Sequence, residues 1–296
     1  MSEDSSKFMM ISRNDPCSCG SGKKYKKCCS ATGIPGELTD LYWRKYQIRL
    51  KNESDISAIR QCGALVIKTF KEIEPYLKPG IATDEINTIV HEFTIKNGAT
   101  PAPLGYRGYP KSVCTSVNEV ICHGIPSNRK LENGDIINVD ITSILNGYYA
   151  DANQTYFIGT PSADAQKIVS VSKQCLKEAA SVVRPGCYLN DIGRVIQKYA
   201  ESQGCSVVRE FVGHGIGYEF HEAPQVLHYV AQGNDIPLVP GMVFTIEPMI
   251  NLGKRESRVL SDGWTVVTQD GSLSAQFEQT IVVTESGMES LTPYEL

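Results

Sequence analysis

An internal repeat constrains the fold of this chain more than any other feature. The segment Tyr76–Ile86, with Lys-Pro-Gly inside it, recurs 106 residues later as Val182–Ile192 with Arg-Pro-Gly. A helical pattern of apolar residues precedes each Pro-Gly pair, and a second helix is predicted after each, with Thr83 or Asn190 as its N-cap. Such a repeat predicts two related halves, each containing a pair of helices.

A second match, offset by 107 residues, aligns two acidic residues with each other. Leu131–Asp140 parallels Leu238–Glu247, and each segment is a β-type run that ends on its acid. Turn signals then lead the chain to a second acid in each half, Asp151 or Glu278. We therefore expect an α+β fold with two helix pairs and two curved antiparallel hairpin systems, related by a pseudo-two-fold axis that passes near the acids.

Four acids and one histidine lie in apolar or glycine-rich contexts that predict burial: Asp140, Asp151, His214, Glu247 and Glu278. Any one of them alone would more often be a hydrogen-bonded core residue. An isolated buried charge costs several kcal/mol, and Asp and Glu are rarely fully buried unless they are paired or bind a metal. Oxygen donors with one imidazole suit divalent cations and not a thiolate site. The set predicts a hydrolase with two metal ions.

Composition limits the number of domains and the cellular compartment that we expect for this chain. Its 296 residues suffice for one large or two medium domains, and its net charge of −4 indicates no particular partner. The sequence contains no apolar run near the 18 residues of a membrane span, and its first residues are polar and acidic, unlike a signal peptide. Ten cysteines without a secretion signal favour the reducing cytoplasm, where clustered cysteines more often bind metal.

The cysteine cluster near the N-terminus predicts a structural zinc site. Cys17 and Cys19 are one residue apart, and adjacent Cys28 and Cys29 follow after eight more. Because so short a segment cannot bury a hydrophobic core, a bound zinc ion would have to stabilise its fold. The alternative is a disordered tail that contains cysteines. With its glycines and lysines the segment resembles the SEC-C zinc motif. The lysines suggest an RNA or acidic partner, although four thiolates around one zinc ion carry a net charge of −2.

The charge distribution separates this segment from the rest. Residues 1–30 hold six Lys/Arg and three Asp/Glu, a net charge of +3, whereas the remainder carries −7. Glycine and proline, followed by an aromatic and basic stretch, occupy residues 31–50. We interpret 1–30 as the zinc module, 31–50 as a linker that docks partly on the next domain, and 51–296 as the catalytic domain.

Six longer strings resemble those of type I methionine aminopeptidases, and the resemblance extends over residues 46–294. The strings are Leu104–Cys114, Asn118–Pro126, Gly213–Gly217, Phe220–Pro224, Phe244–Pro248 and Ser274–Glu278. This resemblance implies the pita-bread fold and removal of the initiator methionine from nascent proteins when the second residue is small. The 26 residues from His221 to Glu247 leave no room for the helical insertion of type II members.

The resemblance also implies a dinuclear metal site. It makes Asp140, Asp151, His214, Glu247 and Glu278 the ligands, with Asp151 and Glu278 bridging both ions. Two ions about 3.5–4 Å apart can share a water and lower its pKa toward about 7, which yields a hydroxide that attacks the first peptide bond. Mixed oxygen and nitrogen ligands accept Co, Mn, Fe or Zn, so the sequence does not select the metal.

Further roles follow from the same resemblance. Glu247 is implied as the proton acceptor that relays a proton toward the leaving amine. His123 and His221 are implied to hydrogen-bond the scissile amide and to stabilise the tetrahedral intermediate without binding metal. Together with these two histidines, a thiol and four aromatic residues would line a substrate pocket suited to a thioether: Tyr106, Tyr109, Cys114, Phe220 and Trp264.

The sequence departs from the family pattern at a few positions. Gln279 follows Glu278 where His is more usual, which would change the hydrogen bonds behind the metal site. Pro103 replaces a small residue at the pocket rim, and Ala-Asn-Gln-Thr follows Asp151 in place of Thr-Ser. We interpret His91 and His228 as ordinary structural residues.

Two other functions are compatible with parts of this pattern. A prolidase-like peptidase would share the five ligands, but it normally has a large N-terminal domain that residues 1–50 cannot supply. A binding protein that has lost its metals would not be expected to keep all five. For an aminopeptidase, the expected partners are nascent-chain N-termini and, through the zinc module, the ribosome. We expect a cytoplasmic monomer without membrane contact.

Overall fold

The computed structural model describes residues 22–24 and 36–296. The predicted zinc ligands Cys17, Cys19, Cys28 and Cys29 lie outside these residues, so that site stays a prediction. The described chain contains five α-helices: α1 (Gly36–Tyr46), α2 (Glu53–Ile73), α3 (Thr83–Lys96), α4 (Ala163–Val182) and α5 (Leu189–Ser202). Among these helices, none is long and apolar enough to cross a bilayer.

Fifteen β-strands accompany these helices within residues 36–296. They are β1 (Thr100–Pro101), β2 (Cys114–Val117), β3 (Val120–Cys122), β4 (Ile136–Leu145), β5 (Tyr148–Phe157), β6 (Ser206–Val207), β7 (Gly213–Gly215), β8 (Glu222–Val226), β9 (Val243–Ile246), β10 (Met249–Asn251), β11 (Ser257–Val259), β12 (Val266–Thr268), β13 (Ser274–Gln276), β14 (Gln279–Val283) and β15 (Met288–Ser290). Two larger sheets have the orders β1-β4-β2, with β5 also paired to β4, and β15-β14-β9-β7-β8. Two smaller sheets have the orders β13-β10-β6 and β11-β12-β3.

The repeat appears in the structure as two helix pairs, α2 with α3 and α4 with α5, as predicted. The predicted N-caps are wrong by one or two residues, because the caps are Ala82 and Tyr188. Neither side chain can cap a helix. Instead the carboxylates of Glu85 and Asp191 each accept the cap residue's backbone N–H at 2.8 Å. The first turns of α3 and α5 are therefore capped in the same way.

The hairpins place the acids as the sequence predicts. β4 and β5 pair antiparallel across a turn at Asn146-Gly147, where both residues have positive φ. Asp140 and Asp151 lie on these two strands. In the other half, β9 pairs with β14, so that Glu247, which follows β9, lies beside Glu278, which precedes β14. Each half thus contributes two acids from neighbouring strands.

The helices cover one side of the sheets with apolar faces. Ile59, Val66, Phe70 and Ile73 recur at helical spacing on α2 and are at most 1% exposed. They belong to a core cluster that also contains residues of β4 and β5. Each such side chain contributes about 1.5–3 kcal/mol on burial, so this packing fixes the strands that carry the acids.

Helix α1, within the predicted linker, packs against the second half of the molecule. Tyr42 is 3% exposed, belongs to the core cluster of α4 and α5, and donates its hydroxyl hydrogen bond to Pro237 O at 2.8 Å. The chain then continues through buried Ile48 and Leu50 to α2.

Candidate metal centre and substrate pocket

All five residues expected to bind metal line one cavity of about 360 Å³. Ligand atoms of Asp151, His214 and Glu278 all lie within 4.8 Å of one another. His214 Nε2 is 3.9 Å from Asp151 Oδ2 and 3.6 Å from Glu247 Oε1. Asp140 lines the same cavity from β4. Asp140 and Glu278, which are 138 positions apart in sequence, thereby line the same cavity.

Burial raises the pKa of each acid in this cluster. The pKa values of Asp140 and Glu278 lie well above the ordinary range, because repulsion from neighbouring carboxylates adds to burial. The pKa of Asp151 rises to about 6 and that of Glu247 to about 8. Four carboxylates in one cavity cannot all ionise near neutral pH unless cations compensate their charge.

The imidazole of His214 is prepared for metal binding. Burial lowers its pKa to about 4, so the ring is neutral and its approaches to carboxylates are not ion pairs. Its Nδ1 lies 3.0 Å from the backbone oxygen of Gly215, which places the ring proton on Nδ1. The lone pair of Nε2 therefore faces the carboxylates, as a metal ligand requires.

Neighbouring polar side chains donate hydrogen bonds to three of the four acids and hold their carboxylate oxygens in place. Thr142 Oγ1 donates to Asp151 Oδ1 at 2.8 Å, and Thr245 Oγ1 donates to Glu247 Oε1 at 2.7 Å. Asn153 Nδ2 donates to Glu278 Oε2 at 2.8 Å, and Gln276 Nε2 to Glu247 Oε2 at 3.1 Å. The donors orient the carboxylates without neutralising them.

Two oxygens of the cluster have no such partner. Asp140 Oδ1 and Glu278 Oε1 are buried and accept no hydrogen bond from any described residue. Leaving a buried polar atom unsatisfied costs about 1–3 kcal/mol, and more for a charged group. Divalent cations between these carboxylates would satisfy both oxygens, so the donor set fits the expected metals.

His123 and His221 lie beside this cluster, where a substrate could reach them. The His221 ring is 4.2 Å from the His214 ring, centroid to centroid, and stacks on Tyr106 at 5.2 Å. Desolvation by the surrounding side chains lowers the pKa of His221 to about 3, although the residue is exposed, and burial lowers the pKa of His123. Both imidazoles are therefore neutral and keep one N–H donor each.

The backbone at His123 is held in an uncommon conformation. Its φ is +55°, in the left-handed region, which costs energy for a residue other than glycine. The next residue, Gly124, has no space for a side chain, because a Cβ would lie 2.1 Å from Thr115 O. This close contact with β2 aims His123 into the cavity.

An aromatic wall completes the cavity, and every residue expected there lines it: Tyr106, Tyr109, Cys114, His123, Phe220, His221 and Trp264. The rings contact one another, with Tyr106–Phe220 and Tyr109–Trp264 centroid distances of 4.9 and 5.1 Å. Tyr109 is buried and donates its hydroxyl to Gly124 O at 3.0 Å. Pro103 also lines the cavity.

Several residues that contact the cluster were not predicted from the sequence. Thr142 and Gln276 lie two residues from Asp140 and Glu278, so strand alternation could have identified them. His228, interpreted as ordinary, is fully buried and its Nε2 accepts the backbone N–H of Glu247 at 3.2 Å. No local signal around His228 predicts that contact. Gln279 is buried, and its side-chain amide donates to Tyr294 O at 3.4 Å.

Family comparisons agree with this geometry. Residues 57–285 match the model of metallopeptidase family M24, and residues 13–31 match the SEC-C motif. Methionine aminopeptidase A of Synechocystis is 53% identical over 246 residues, which cover 83% of this chain and 97% of that protein. The methionine aminopeptidase of Escherichia coli is 49% identical over 247 residues, covering 83% and 94%.

Solved structures give the same result. The crystal structure of methionine aminopeptidase from Rickettsia prowazekii has a TM-score of 0.82 and 45% identity, covering 83% of this chain and all of that one. Prolidase from Pyrococcus furiosus has a TM-score of 0.67 and 22% identity, and the match covers 88% of this chain and 68% of the prolidase chain. At this identity the likeness shows the shared pita-bread fold alone. The chain therefore belongs to metallopeptidase family M24 and, within it, to the methionine aminopeptidases.

Proposed function

We propose that the cavity binds two divalent ions through Asp140, Asp151, His214, Glu247 and Glu278 and hydrolyses the first peptide bond after an N-terminal methionine. The two unsatisfied buried oxygens, on Asp140 and Glu278, carry the proposal of a metal site. When bound, such ions supply Lewis-acid activation of a water and of the scissile carbonyl. Co, Mn, Fe and Zn all suit this donor set.

Glu247 is the residue we assign to proton transfer. Thr245 and Gln276 hold its two oxygens in place. An ionised carboxylate held beside the attacking water can accept its proton and pass it on. In this role Glu247 takes the proton of the attacking water and delivers it to the leaving amine.

His221 and His123 are the residues we assign to the scissile amide. Both rings are neutral and face the cavity, so each can donate one N–H. A donor aimed at the developing oxyanion stabilises the transition state more than the ground state. His221 binds no metal in this proposal.

The aromatic wall is proposed to select methionine. A thioether fits between ring edges and makes favourable sulfur–aromatic contacts. We further propose that the second residue of the substrate must be small. The working site is proposed to be cytoplasmic, on nascent chains, with the enzyme as a monomer and residues 1–30 as a zinc module that contacts the ribosome.

Peptide assays test the proposal. The purified protein, stripped with chelator and reconstituted with one metal at a time, should cleave Met-Ala-Ser and leave Ala-Pro intact. Full activity after exhaustive chelation would exclude metal catalysis. Equal rates on Met-Gly and Met-Arg peptides would contradict the proposed size limit. Metal analysis of protein purified without added ions would identify the resident metal.

A further inference from the structure

A buried ion pair lies outside the metal cluster and behind the loop that carries His221. Lys51, just before α2, is among the largest fully buried side chains, and its Nζ is 2.6 Å from Glu222 Oε2. The Lys51 and Glu222 side chains are 1% and 2% exposed. Lys51 Nζ also donates to the backbone oxygen of Arg49 at 3.1 Å. These two charged residues are 171 positions apart in sequence.

The other oxygen of Glu222 closes the loop itself. Glu222 Oε1 accepts the backbone N–H of Tyr218 at 2.6 Å and of Glu219 at 2.9 Å. Phe220 and His221 lie between these donors and Glu222 in the chain. One carboxylate therefore ties the start of this loop to its end and joins both to Lys51.

Further contacts connect the same loop to α2. Tyr218 lies with its ring centroid 4.6 Å from Lys51 Nζ, and its hydroxyl donates to Asp55 Oδ2 at 2.6 Å. Asp55 in turn accepts the backbone N–H of Asn52 as part of the capping box of α2. At Gly217 an added Cβ would lie 2.9 Å from Lys51 Cε. The loop rests directly on this lysine.

The His221 side chain is held by ring packing, and its backbone leads directly into β8, where Glu222 pairs with Gly215. Within the described part of the chain, no hydrogen bond holds its imidazole, which has only ring contacts with His214, Tyr106 and Phe220. Its position therefore depends on its backbone, which is joined directly to Glu222. A displacement of about 1 Å from the productive geometry can cost about 100-fold in rate.

We propose that the buried Lys51–Glu222 ion pair positions His221 for catalysis. The inference rests on the proposed role of His221 in the reaction. Lys51 and Glu222 act as positioning residues: neither lines the cavity, and their effect passes through the loop 218–222.

The test replaces both partners, because removing Glu222 alone leaves the buried Lys51 charge without its carboxylate, whereas removing Lys51 alone leaves Glu222 paired with Arg49 at 3.6 Å. Lys51→Met/Glu222→Gln removes both charges, while the Gln carbonyl can still accept the two loop N–H groups. We expect kcat on Met-Ala-Ser to fall about 10- to 100-fold, with KM and metal content changed by less than about twofold. In a His221→Ala background the same pair of substitutions should change kcat by less than about twofold.

A matched control is Arg60→Met/Glu289→Gln. These substitutions remove the ion pair between Arg60 Nε and Glu289 Oε1, which are 2.6 Å apart. Like Lys51–Glu222, this pair joins the region of α2 to the second half of the molecule. Unlike it, the pair is nearly half exposed and does not contact the loop 218–222. We expect its kcat to match the wild type. A comparable loss of kcat in this control would mean that any such pair affects activity through general stability, and would overturn the proposal.

A second measurement does not depend on activity. Backbone hydrogen exchange of metal-free protein should become faster at Tyr218 and Glu219 in Lys51→Met/Glu222→Gln, because a neutral Gln carbonyl that Lys51 no longer holds accepts these two N–H groups less strongly than the carboxylate does. Unchanged exchange, or a kcat loss of the same size in the His221→Ala background, would overturn the positioning role. Wild-type protein that fails to cleave Met-Ala-Ser with each of the four metals would instead overturn the proposed function, independently of the exchange result.

Discussion

The His221 imidazole is neutral although the residue is exposed, and neutrality is the state required of a hydrogen-bond donor to an oxyanion. With its pKa lowered to about 3, the ring stays uncharged throughout the range in which a peptidase works. Its neighbour His214, also neutral, presents Nε2 to the carboxylates instead. Both imidazoles are neutral, but their hydrogen-bonding surroundings differ. We therefore propose that His214 binds metal and that His221 donates a hydrogen bond to the oxyanion.

His221→Ala tests this distinction. We expect kcat/KM to fall by about 100- to 1,000-fold, equivalent to about 2.7–4 kcal/mol for one lost oxyanion donor. Bound metal, measured on the purified variant, should stay at the wild-type level. His91→Ala is the control, because His91 lies on α3 and contacts Ser112 outside the cavity. Loss of the active-site metals from His221→Ala would show that His221 is a ligand.

The carboxylate cluster predicts an unusual dependence of stability on pH in metal-free protein. The pKa of Glu247 is about 8 when folded, against an ordinary value near 4.5, so folding raises it. Stability from such a group is complete below the unfolded pKa and is lost as pH rises through the folded pKa. Chelated protein should therefore be more stable at pH 7 than at pH 8.5, by up to about 1.4 kcal/mol per pH unit per proton.

Denaturant unfolding of chelated protein at several pH values measures this effect. Over pH 7–8.5 the buried cysteines, whose pKa folding also raises, contribute a slope of the same sign, so the share of Glu247 is the difference between wild type and Glu247→Gln. Glu247→Gln should reduce the slope, and saturating divalent ion should flatten or reverse it, because the ion binds the ionised acids. An unchanged slope in Glu247→Gln would contradict the raised pKa of Glu247.

At the scale of elements, α2 contacts the C-terminal segment through a glycine. A Cβ at Gly63 would lie 2.0 Å from the backbone oxygen of Leu291, and that oxygen cannot move aside as a flexible side chain could. The close approach presses the helix against residues that follow β15. Glycine at this buried helical position is therefore required by packing and not by backbone conformation.

Gly63→Ala should destabilise the protein despite the better helix propensity of alanine. Overpacking of this kind costs about 1–3 kcal/mol, which exceeds the gain of up to about 1 kcal/mol from replacing glycine within a helix. Gly287→Ala is the control, because no atom lies within 4 Å of a Cβ there and its φ is not in the left-handed region. Thermal unfolding compares the two; a Gly63→Ala protein as stable as the wild type would show that the helix shifts freely.

At the scale of the whole molecule, the catalytic cavity and the predicted zinc module belong to separate parts of the chain. Every residue that lines the cavity falls between 103 and 278. The SEC-C match covers residues 13–31. A closed site of four thiolates leaves no position for a substrate, so recruitment suits it better than catalysis.

Deleting residues 1–35 tests this division of roles, since the truncation leaves α1 intact. Hydrolysis of short peptides should stay within about twofold of the full-length protein, and the zinc content should fall by one ion per chain. Binding to ribosomes should weaken, and binding of the full-length protein should decrease as salt increases. Loss of most peptide activity in a folded truncated protein, or full-length protein without that zinc, would contradict the assignment.

The main features of the fold and of the site were predictable because their signals are local. The repeat around Pro79-Gly80 and Pro185-Gly186 predicted the helix pairs, and apolar runs ending at Asp140 and Glu247 predicted the acid-bearing strands. A set of four carboxylates predicted to be buried needs compensating charge if all are ionised, whatever the path of the chain. The long matching strings then indicated the family, which the comparisons confirmed.

Contacts between distant segments were decided only by the tertiary structure. His228 reaches the backbone of Glu247, Asn153 reaches Glu278 across 125 residues, and Lys51 pairs with Glu222 across 171. Nothing in the residues around any of these positions specifies the partner, since hydrogen bonds and ion pairs depend on where the packed sheets and helices bring side chains together. The sequence by itself determined which groups are available for the proposed chemistry, because their residue types are local; the packing of the two halves decided which groups hold them in place.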